Sequence, residues 1–445
     1  MALRCASVSI RASAAVALVA ATVLTVGAGS AAAATISPTT TADVVDAGDG
    51  LLSLREAVRQ ADETPGPDTV ALSAGTEYVL DEACAEIQDG DVANTLDDLD
   101  HLGADDLTVT GDHSTIRQSL ADSSCWQARV LDMGAGALTV TGVTLTGGHV
   151  DDPCWSYGAI GTGPLLCAQA LGTHRGRGGA ISADGPVVLD HTVITGNSAG
   201  DTAGGGVWSA TSITATDSSV NLGDGSLGGG LAADGPITLE RSTVAANRAV
   251  GVPHVATPSV ARGGGVWSRG AVTVRNSTVA ANRVPGRVPV PVEGQPPMRL
   301  RGAGGAVWSG GRLELEHATV TGNRADIGSN LFVEDEGLGS FASVIGRGKP
   351  GARTCAVTGP SASQGYNVVL GAPCRLGAGP GDEVRRVRVP LGPLADNGGP
   401  TPTRLPGDTS LSIVAPSACT VLTVDQRGEA RPQGPACEAG AVEVP

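Results

Sequence analysis

Hydrophobic and polar positions repeat along the middle of the chain in units of 20 residues. Five segments align without a gap, each opening at two glycines and ending at Asn or Gly: 178–197, 204–223, 228–247, 263–282 and 304–323. Within each unit, apolar residues alternate with mostly polar ones at period 2, and a second apolar position follows a bend. Short alternating strands between small-residue bends predict the coils of a parallel β-helix, which is a solenoid.

All variation in length falls between one unit and the next. The four connections hold 6, 4, 15 and 21 residues. Insertions at a single corner are typical of a solenoid. Weaker copies of the unit extend the predicted stack in both directions, at 68–80, 106–118, 137–148 and 328–346.

One column of the aligned units is occupied by Asn or Gly and predicts a bend. Its members are Asn197, Gly223, Asn247, Asn282 and Asn323. We expect a positive φ there, because Gly and Asn tolerate the left-handed conformation best. Since equivalent residues of successive coils lie about 4.8 Å apart, the Asn amides are also placed to hydrogen-bond along the stack.

Aromatic residues form only 2% of a chain that is 41% hydrophobic, which indicates a narrow interior filled by aliphatic side chains. Trp208, Trp267 and Trp308 share one column, and Phe332 continues it in the next coil. Because each of these residues directly follows an inward-facing Val or Leu, we expect the aromatic side chains to point outward. Two interpretations stay open: a ligand-binding platform for sugar rings or a protein partner, or a column covered by the insertions that flank the fourth unit.

Charged residues also fall in columns, at the bend that follows the second strand of each unit. The pairs are Asp190/His191, Thr216/Asp217, Glu240/Arg241, Arg275/Asn276 and Glu316/His317. Enzymes that act on polysaccharides need acids and bases gathered on one face. A surface ladder of alternating charge has the same pattern. No carboxylate pair stands out, so we assign no catalytic residue.

The first 34 residues have the pattern of a secretory signal peptide. Arg4 and Arg11 precede an apolar or small run over 12–29, and 31–34 provide an A-x-A end; a membrane anchor is the alternative. The net charge is −16, and removal of these two arginines leaves 27 − 45 = −18. Such acidity disfavours nucleic acid and anionic membranes as partners. No later apolar run reaches the roughly 18 residues of a transmembrane span.

Eight cysteines remain after the signal segment, and an even count in an exported chain indicates disulfides. Close couples in sequence predict the pairs Cys84–Cys125, Cys154–Cys167, Cys355–Cys374 and Cys419–Cys437. No C-x-x-C occurs and the histidines are scattered, so we expect neither a metal site nor a cofactor. The acidic stretch 89–106 lacks the spacing of a calcium loop and is interpreted as a solvated loop.

Sequence motifs at both ends of the mature chain resemble a known family. Ser53-Leu-Arg-Glu56 is a capping box that predicts a short N-terminal helix. It lies in TTTADVVDAGDGLLSLREAV (39–58), which resembles the CSLREA segment of exported bacterial β-helix proteins, with Leu52 where that segment has cysteine. The GGA[IV]…GN repeats resemble polymorphic outer-membrane-protein repeats. PLADNGGPTPTRL (393–405) with CEAGAVE (437–443) is similar to the choice-of-anchor Q domain.

The resemblance implies a right-handed parallel β-helix outside the cell or at its surface, and no settled activity. We expect an all-β chain: a signal peptide (1–34), an N-terminal cap (35–67), a single-stranded right-handed parallel β-helix (68–370) and an irregular C-terminal cap (371–445). The expected loop insertions are 149–177, 248–262 and 283–303.

Three hypotheses for function follow. The first is a non-catalytic secreted or cell-surface protein whose partner is an extracellular glycan or a surface protein. The second is a polysaccharide lyase or glycoside hydrolase acting on extracellular polysaccharide. The third is a purely structural envelope protein. The oligomeric state is left open.

Overall fold

The structure is a computed structural model. It describes residues 33–81, 98–119, 128–150, 176–251, 260–286, 288–292, 295–370, 374–385, 391–419 and 422–445. Residues 1–32 of the predicted signal peptide lie outside the described residues, as do Cys84, Cys125, Cys154 and Cys167.

The described chain winds into a right-handed parallel β-helix with three sheets. Each strand pairs in parallel with the equivalent strands of the neighbouring coils. Within the described residues, sheet 1 has nine strands. They are Leu99–His101, Leu131–Met133, Ile181–Ala183, Val207–Ser209, Leu231–Ala233, Val266–Ser268, Val307–Ser309, Leu331–Val333 and Cys355–Val357.

Sheets 2 and 3 form the other two sides of each coil, and two long strands, Leu107–Gln118 and Leu138–Thr146, run through both. The other strands of sheet 2 are Thr35–Ile36, Asp68–Ala71, Val187–Asp190, Ile213–Thr216, Ile237–Glu240, Val272–Arg275, Leu313–Glu316, Leu338–Phe341 and Ser361–Gly365. Those of sheet 3 are Glu77–Leu80, Val193–Thr195, Ser219–Asn221, Thr243–Ala245, Thr278–Ala280, Thr319–Thr321, Val344–Ile345, Val368–Leu370 and Glu383–Arg385.

Shorter elements lie outside the three sheets. Within the insertion 283–303, two strands pair as an antiparallel hairpin. The remaining elements are the strands Asp224–Gly225, Arg248–Ala249, Val288–Val292, Gln295–Leu300, Ser412–Val414 and Cys437–Glu438, with the 3-10 helices Thr409–Leu411 and Pro416–Ala418.

Aliphatic columns fill the interior, as the period-2 pattern predicts. Ile213 pairs with Val187 in one neighbouring coil and with Ile237 in the other, and Ile237 pairs with Val272. All four side chains are buried. Since a fully buried aliphatic side chain contributes about 1.5–3 kcal/mol, these columns are the main source of stability.

The predicted N-terminal helix is confirmed and closes the first coils. It spans Leu54–Glu63, and both hydrogen bonds of the capping box between Ser53 and Glu56 are present. Ala57, Val58 and other apolar positions of the helix are buried against the strands. Within the described part of the chain, no helix has the length and apolar character needed to cross a membrane.

The left-handed residue of the bend after sheet 3 lies one position before the predicted column. Positive φ values from 56° to 72° occur at Gly196, Leu222, Ala246, Ala281 and Gly322. The φ prediction for the following Asn or Gly column was therefore wrong by one residue. The exposed corner takes the left-handed turn, and the next residue returns to the interior.

The column Asn197, Gly223, Asn247, Asn282 and Asn323 instead forms a buried ladder. Asn282 Nδ2 donates to Asn323 Oδ1 at 3.0 Å and to a main-chain carbonyl of the preceding coil at 2.9 Å. Asn282 Oδ1 accepts from the main-chain N–H of Asn247 at 3.0 Å. Gly223 donates its N–H to Asn247 Oδ1 in the same way, at 2.9 Å. The amides thus bond along the stack.

The C-terminal segment 391–445, called the clasp below, lies along sheet 3. Gln426 Nε2 donates to Thr243 Oγ1 at 2.7 Å, and Gln426 Oε1 accepts from Thr278 Oγ1 at 2.7 Å. The parallel stack itself continues to Glu383–Arg385, past the expected end at residue 370. The C-terminal cap therefore packs on the side of the solenoid, where sheet 3 offers hydroxyl groups as partners.

Candidate functional site

The predicted aromatic column lies on the outer side of sheet 1. Trp208 pairs with Ala232, and Trp267, Trp308 and Phe332 follow in register. The rings of Trp267 and Trp308 stack with centroids 5.6 Å apart, and those of Trp308 and Phe332 with centroids 6.4 Å apart. The three tryptophans are nevertheless only 1–4% exposed. The structure therefore does not present the exposed platform considered above.

The cover comes from the residue before each glycine pair. Ala203, Leu227, Arg262, Ala303 and Ile327 form a ladder of main-chain bridges beside sheet 1. The apolar members pack with the tryptophans in a cluster separate from the main core. In the described structure, the tryptophans are thus covered both by residues of the long insertions and by equivalent residues of the short connections. Ligand binding by the aromatic column stays a prediction.

The bend between sheets 2 and 3 carries the predicted charged columns. His191, Asp217, Arg241, Asn276 and His317 all adopt φ values of 43–48°. A left-handed conformation costs a non-glycine residue of order 1 kcal/mol. The recurrence of this conformation shows that the coil geometry imposes it, and it aligns these side chains along one edge of sheet 2.

Part of this edge is a network of ion pairs. Arg241 donates two hydrogen bonds to the carboxylate of Asp217, at 2.9 and 2.6 Å. The hydrogen bond to Asp217 is the main reason why the pKa of Arg241 is raised. His191 Nδ1 lies 2.9 Å from Asp190 Oδ1. These contacts are those of a surface charge ladder.

A second group of charges lies further along sheet 2. Arg275 Nε is 2.8 Å from Glu316 Oε2 and 3.8 Å from Glu240 Oε2. Burial raises the pKa of Glu240, against the opposing charges of Arg275 and Arg241. Two carboxylates therefore share one guanidinium.

Beside this group, the outer face of sheet 2 forms a depression of about 530 Å³, called the sheet 2 cleft below. Its lining residues are Thr273, Arg275, Glu314, Leu315, Glu316, Phe341 and Gln364. The lining combines two carboxylates, a guanidinium, an amide, a hydroxyl and an aromatic ring. This set of planar hydrogen-bonding groups beside a ring is suited to a polar organic ligand.

Two departures from the repeat create the cleft. Gly339 occupies the outward position next to Glu314, and a Cβ there would lie 1.9 Å from Glu314 Oε2. The pairing of Leu338–Phe341 with Ser361–Gly365 shifts by one residue, so that Gln364 is left without a partner position in the ladder. A bulge of this kind redirects a side chain. The missing side chain leaves room for the Glu314 carboxylate, and the extra residue places Gln364 in the lining.

Phe341 forms the aromatic wall of the cleft and is held from behind. Its ring meets the rings of His317 and Tyr366 edge-on, with centroids 5.5 and 6.1 Å away. Phe341 and Tyr366 also pack against the apolar core of the clasp, which includes Leu411 and Val414. The clasp therefore helps to fix the position of one wall of the cleft.

A buried ion pair lies within the clasp, next to His317 of the solenoid. Arg431 pairs with Glu443 at 2.7 Å, and both side chains are fully buried. Burial, reinforced by the charge of Arg431, lowers the pKa of His317 to about 3, so that its ring is neutral against the clasp. Burial raises the pKa of Glu438 to about 7, and its contact with Glu443 adds to this.

Two of the predicted disulfides are confirmed. Cys419–Cys437 lies in the clasp, and Cys355–Cys374 ties the last strand of sheet 1 to the segment between the last two strands of sheet 3. The other two predicted pairs fall outside the described residues. The confirmed disulfides agree with folding in an oxidising compartment.

Within the described ranges, two groups of side chains bring ligand atoms of the kind that metals prefer within 4.8 Å of one another. One consists of Asp190, His191 and Asp217, whose charges are already balanced in part by an arginine. The other consists of Asp98, Asp100 and Asp132. Burial raises the pKa of Asp100 to about 9, assisted by its acidic neighbours. The interpretation as a solvated loop was wrong for 98–101, since Asp98 is buried and Leu99–His101 form a strand, whereas 104–106 are exposed.

Comparisons with known proteins add little to this picture. No protein-family model matches the chain, and no curated protein matches it. Among solved structures, the chain is similar to one described as "Crystal structure of pectate lyase Pel9A", with 11% sequence identity and a TM-score of 0.39, over 94% of this chain and 98% of that chain. This likeness is too distant to transfer an activity.

Sequence reasoning found the charged edge but missed the cleft. Gly339, Phe341 and Gln364 lie beyond the five aligned units, where the repeat is weak. The available signal was a departure from the pattern: a glycine after a run of polar outward residues (Thr214, Thr238, Thr273 and Glu314), and one extra residue in the following strand.

Proposed function

We propose that this protein is an exported, non-catalytic β-helix that binds a glycan in the sheet 2 cleft. The cleft itself carries the proposal, because it offers an aromatic ring beside convergent carboxylate, guanidinium and amide groups. Sugars match this set of groups, because they carry apolar ring faces next to hydroxyl groups that donate and accept hydrogen bonds. The disulfides and the signal-like N-terminus support action outside the cytoplasm.

Binding to an immobilised glycan panel, followed by calorimetry on the best ligand, tests this proposal. We expect Glu316→Gln and Gln364→Ala each to weaken binding by about tenfold, the effect of one lost charged or well-placed hydrogen bond. Glu77→Gln is the matched control. Glu77 lies away from the cleft and forms an equivalent ion pair with Arg117, in which Glu77 Oε1 is 2.7 Å from Arg117 Nε.

Two results would overturn the proposal. One is the absence of binding to any glycan of the panel. The other is a loss of affinity in Glu77→Gln as large as that in Glu316→Gln, which would indicate a general effect of charge.

Hydrolysis of a polysaccharide is the second candidate function. The observation that favours it is the pair Glu240 and Glu316 on either side of Arg275, with the pKa of Glu240 raised by burial. A carboxyl group whose pKa is raised, beside a second carboxyl group, is the arrangement from which a glycosidase draws its general acid. Release of reducing ends that disappears in Glu240→Gln would support it. The shared contact with Arg275 occupies both carboxylates, and for that reason we favour binding.

A further inference from the structure

Threonine dominates the outward positions of sheet 2 on the coils that precede the cleft. Thr214, Thr238 and Thr273 are successive members of one column, and Thr216 lies beside it two residues along the first of these strands. Toward the N-terminal end the outward threonines continue, after an interruption at Val187–Asp190. The further members are Thr69, Thr108, Thr110, Thr139 and Thr141.

The hydroxyl groups of these threonines are available to a ligand. All nine side chains are half-buried, and among the described residues none of their hydroxyl groups has a hydrogen-bond partner. On sheet 3 the clasp engages the hydroxyl groups of Thr243, Thr278 and Thr319. The chain therefore covers one threonine-bearing face with its own segment and leaves the other uncovered in the described structure.

The threonine side chains on the outer face of sheet 2 are rigid and regularly spaced. Threonine is β-branched and holds few rotamers on a strand, and the strand spacing of about 4.8 Å sets the repeat along the helix axis. An extended polysaccharide presents hydroxyl groups at a comparable repeat. A chain that lies parallel to the helix axis can thus meet a new threonine at each coil.

The charge of the surface selects against an anionic polymer. The threonine coils nearest the cleft carry Asp217 and Glu240 against Arg241, the cleft adds Glu314 and Glu316 against Arg275, and the whole chain carries −16. A polyuronate brought along this face would be repelled.

We propose that the threonine columns extend the sheet 2 cleft into a track for a long, neutral polysaccharide chain. This inference rests on the proposed function, since the cleft anchors one part of the chain. The track adds contacts that a short oligosaccharide cannot reach, so affinity grows with chain length.

The test is calorimetry with a length series, dimer to octamer, of β-1,4-linked glucose and of β-1,4-linked N-acetylglucosamine, with oligogalacturonates as the anionic series. We expect the octamer of one neutral series to bind about tenfold more tightly than its trimer, because one or two further hydrogen bonds are worth that much. Replacement of two track hydroxyls, in the double variant Thr214→Val and Thr238→Val, removes this gain and leaves trimer binding unchanged.

The double variant Thr115→Val and Thr144→Val is the matched control, because these threonines face outward on sheet 3. Equal affinity of trimer and octamer in the wild-type protein overturns the track, as does an equal loss in the control or a preference for oligogalacturonates. If the trimer binds as tightly as the octamer and its binding depends on Glu316, the proposed function stands while the track fails. If no oligosaccharide binds, both fail.

Discussion

Asn282 shows how a single side chain can hold several coils together. Its amide nitrogen donates to Asn323 and to a main-chain carbonyl of the preceding coil. Its amide oxygen accepts from the main-chain N–H and from the side-chain amide of Asn247. The side chain is fully buried. Its removal therefore leaves several polar groups without partners and without access to water.

We expect Asn282→Ala to lower the free energy of unfolding by about 2–4 kcal/mol, because buried groups left without partners carry the full cost of desolvation. Urea denaturation measures the change. Asn221→Ala is the control, since Asn221 is half-exposed and bonds to Thr195 at the surface. Similar losses in the two variants would contradict a special role for the buried ladder.

At the scale of the elements, the bend before sheet 1 requires glycine for two reasons, its backbone conformation and the lack of space for a side chain. Gly263 has a φ of 64°, and a Cβ there would lie 2.1 Å from the carbonyl oxygen of Val266. Gly322, in the bend after sheet 3, has a φ of 72° but only one atom within 4 Å of the same position, at 3.9 Å. Both glycines adopt the left-handed conformation, but only Gly322 has space for a Cβ.

The two glycines therefore separate conformational strain from steric overlap. We expect Gly322→Ala to cost about 1 kcal/mol, the price of a left-handed alanine, as Ala246 and Ala281 already illustrate at equivalent positions. Gly263→Ala adds a clash with main-chain atoms and costs about 3 kcal/mol or more. Thermal or urea unfolding of both variants checks the difference, and equal costs would show that the bend before sheet 1 relaxes.

For the whole molecule, docking of the clasp makes stability depend on pH. His317 belongs to the bend after sheet 2 and contacts the clasp, and its pKa is about 3 in the folded protein against an ordinary value of 6.5. A histidine with a lowered pKa supplies stability that is present above pH 6.5 and is lost as the pH falls toward 3, because the unfolded chain takes up the proton first.

We expect protonation of His317 to cost the wild-type protein roughly 1 kcal/mol of unfolding free energy for each pH unit below 6.5, measured as the change with pH of the difference between wild type and His317→Asn. Asn suits the position, since Asn276 adopts the same conformation one coil earlier. His191→Asn is the control, because His191 has the same bend geometry with an exposed ring. Glu438 and Asp100, whose pKa values are raised, act in the opposite direction, and because both are present in every variant they cancel in this difference. A difference that stays constant as the pH falls would contradict the assignment.

Residues that repeat were predictable, and residues that break the repeat were not. The alternation in each unit was enough to place Val187, Ile213 and Ile237 in one buried column, since a period of two leaves one choice of side. The same rule placed the tryptophans on the outer side of sheet 1 correctly. It could not show that Ala203 and Ala303 would pack over them, because those contacts arise at a corner of the coil.

Local pattern by itself determined the coil, its aliphatic core, the N-terminal helix, the Asn ladder and two disulfides, because each follows from equivalent positions of the repeat or from residues close together in the chain. Tertiary structure alone decided that the aromatic column is covered, that the clasp lies along sheet 3, and that a cleft opens where Gly339 and Gln364 interrupt the surface. These features join segments far apart in sequence. Their formation depends on which surfaces remain uncovered once the solenoid has wound, and no periodicity in the chain records that.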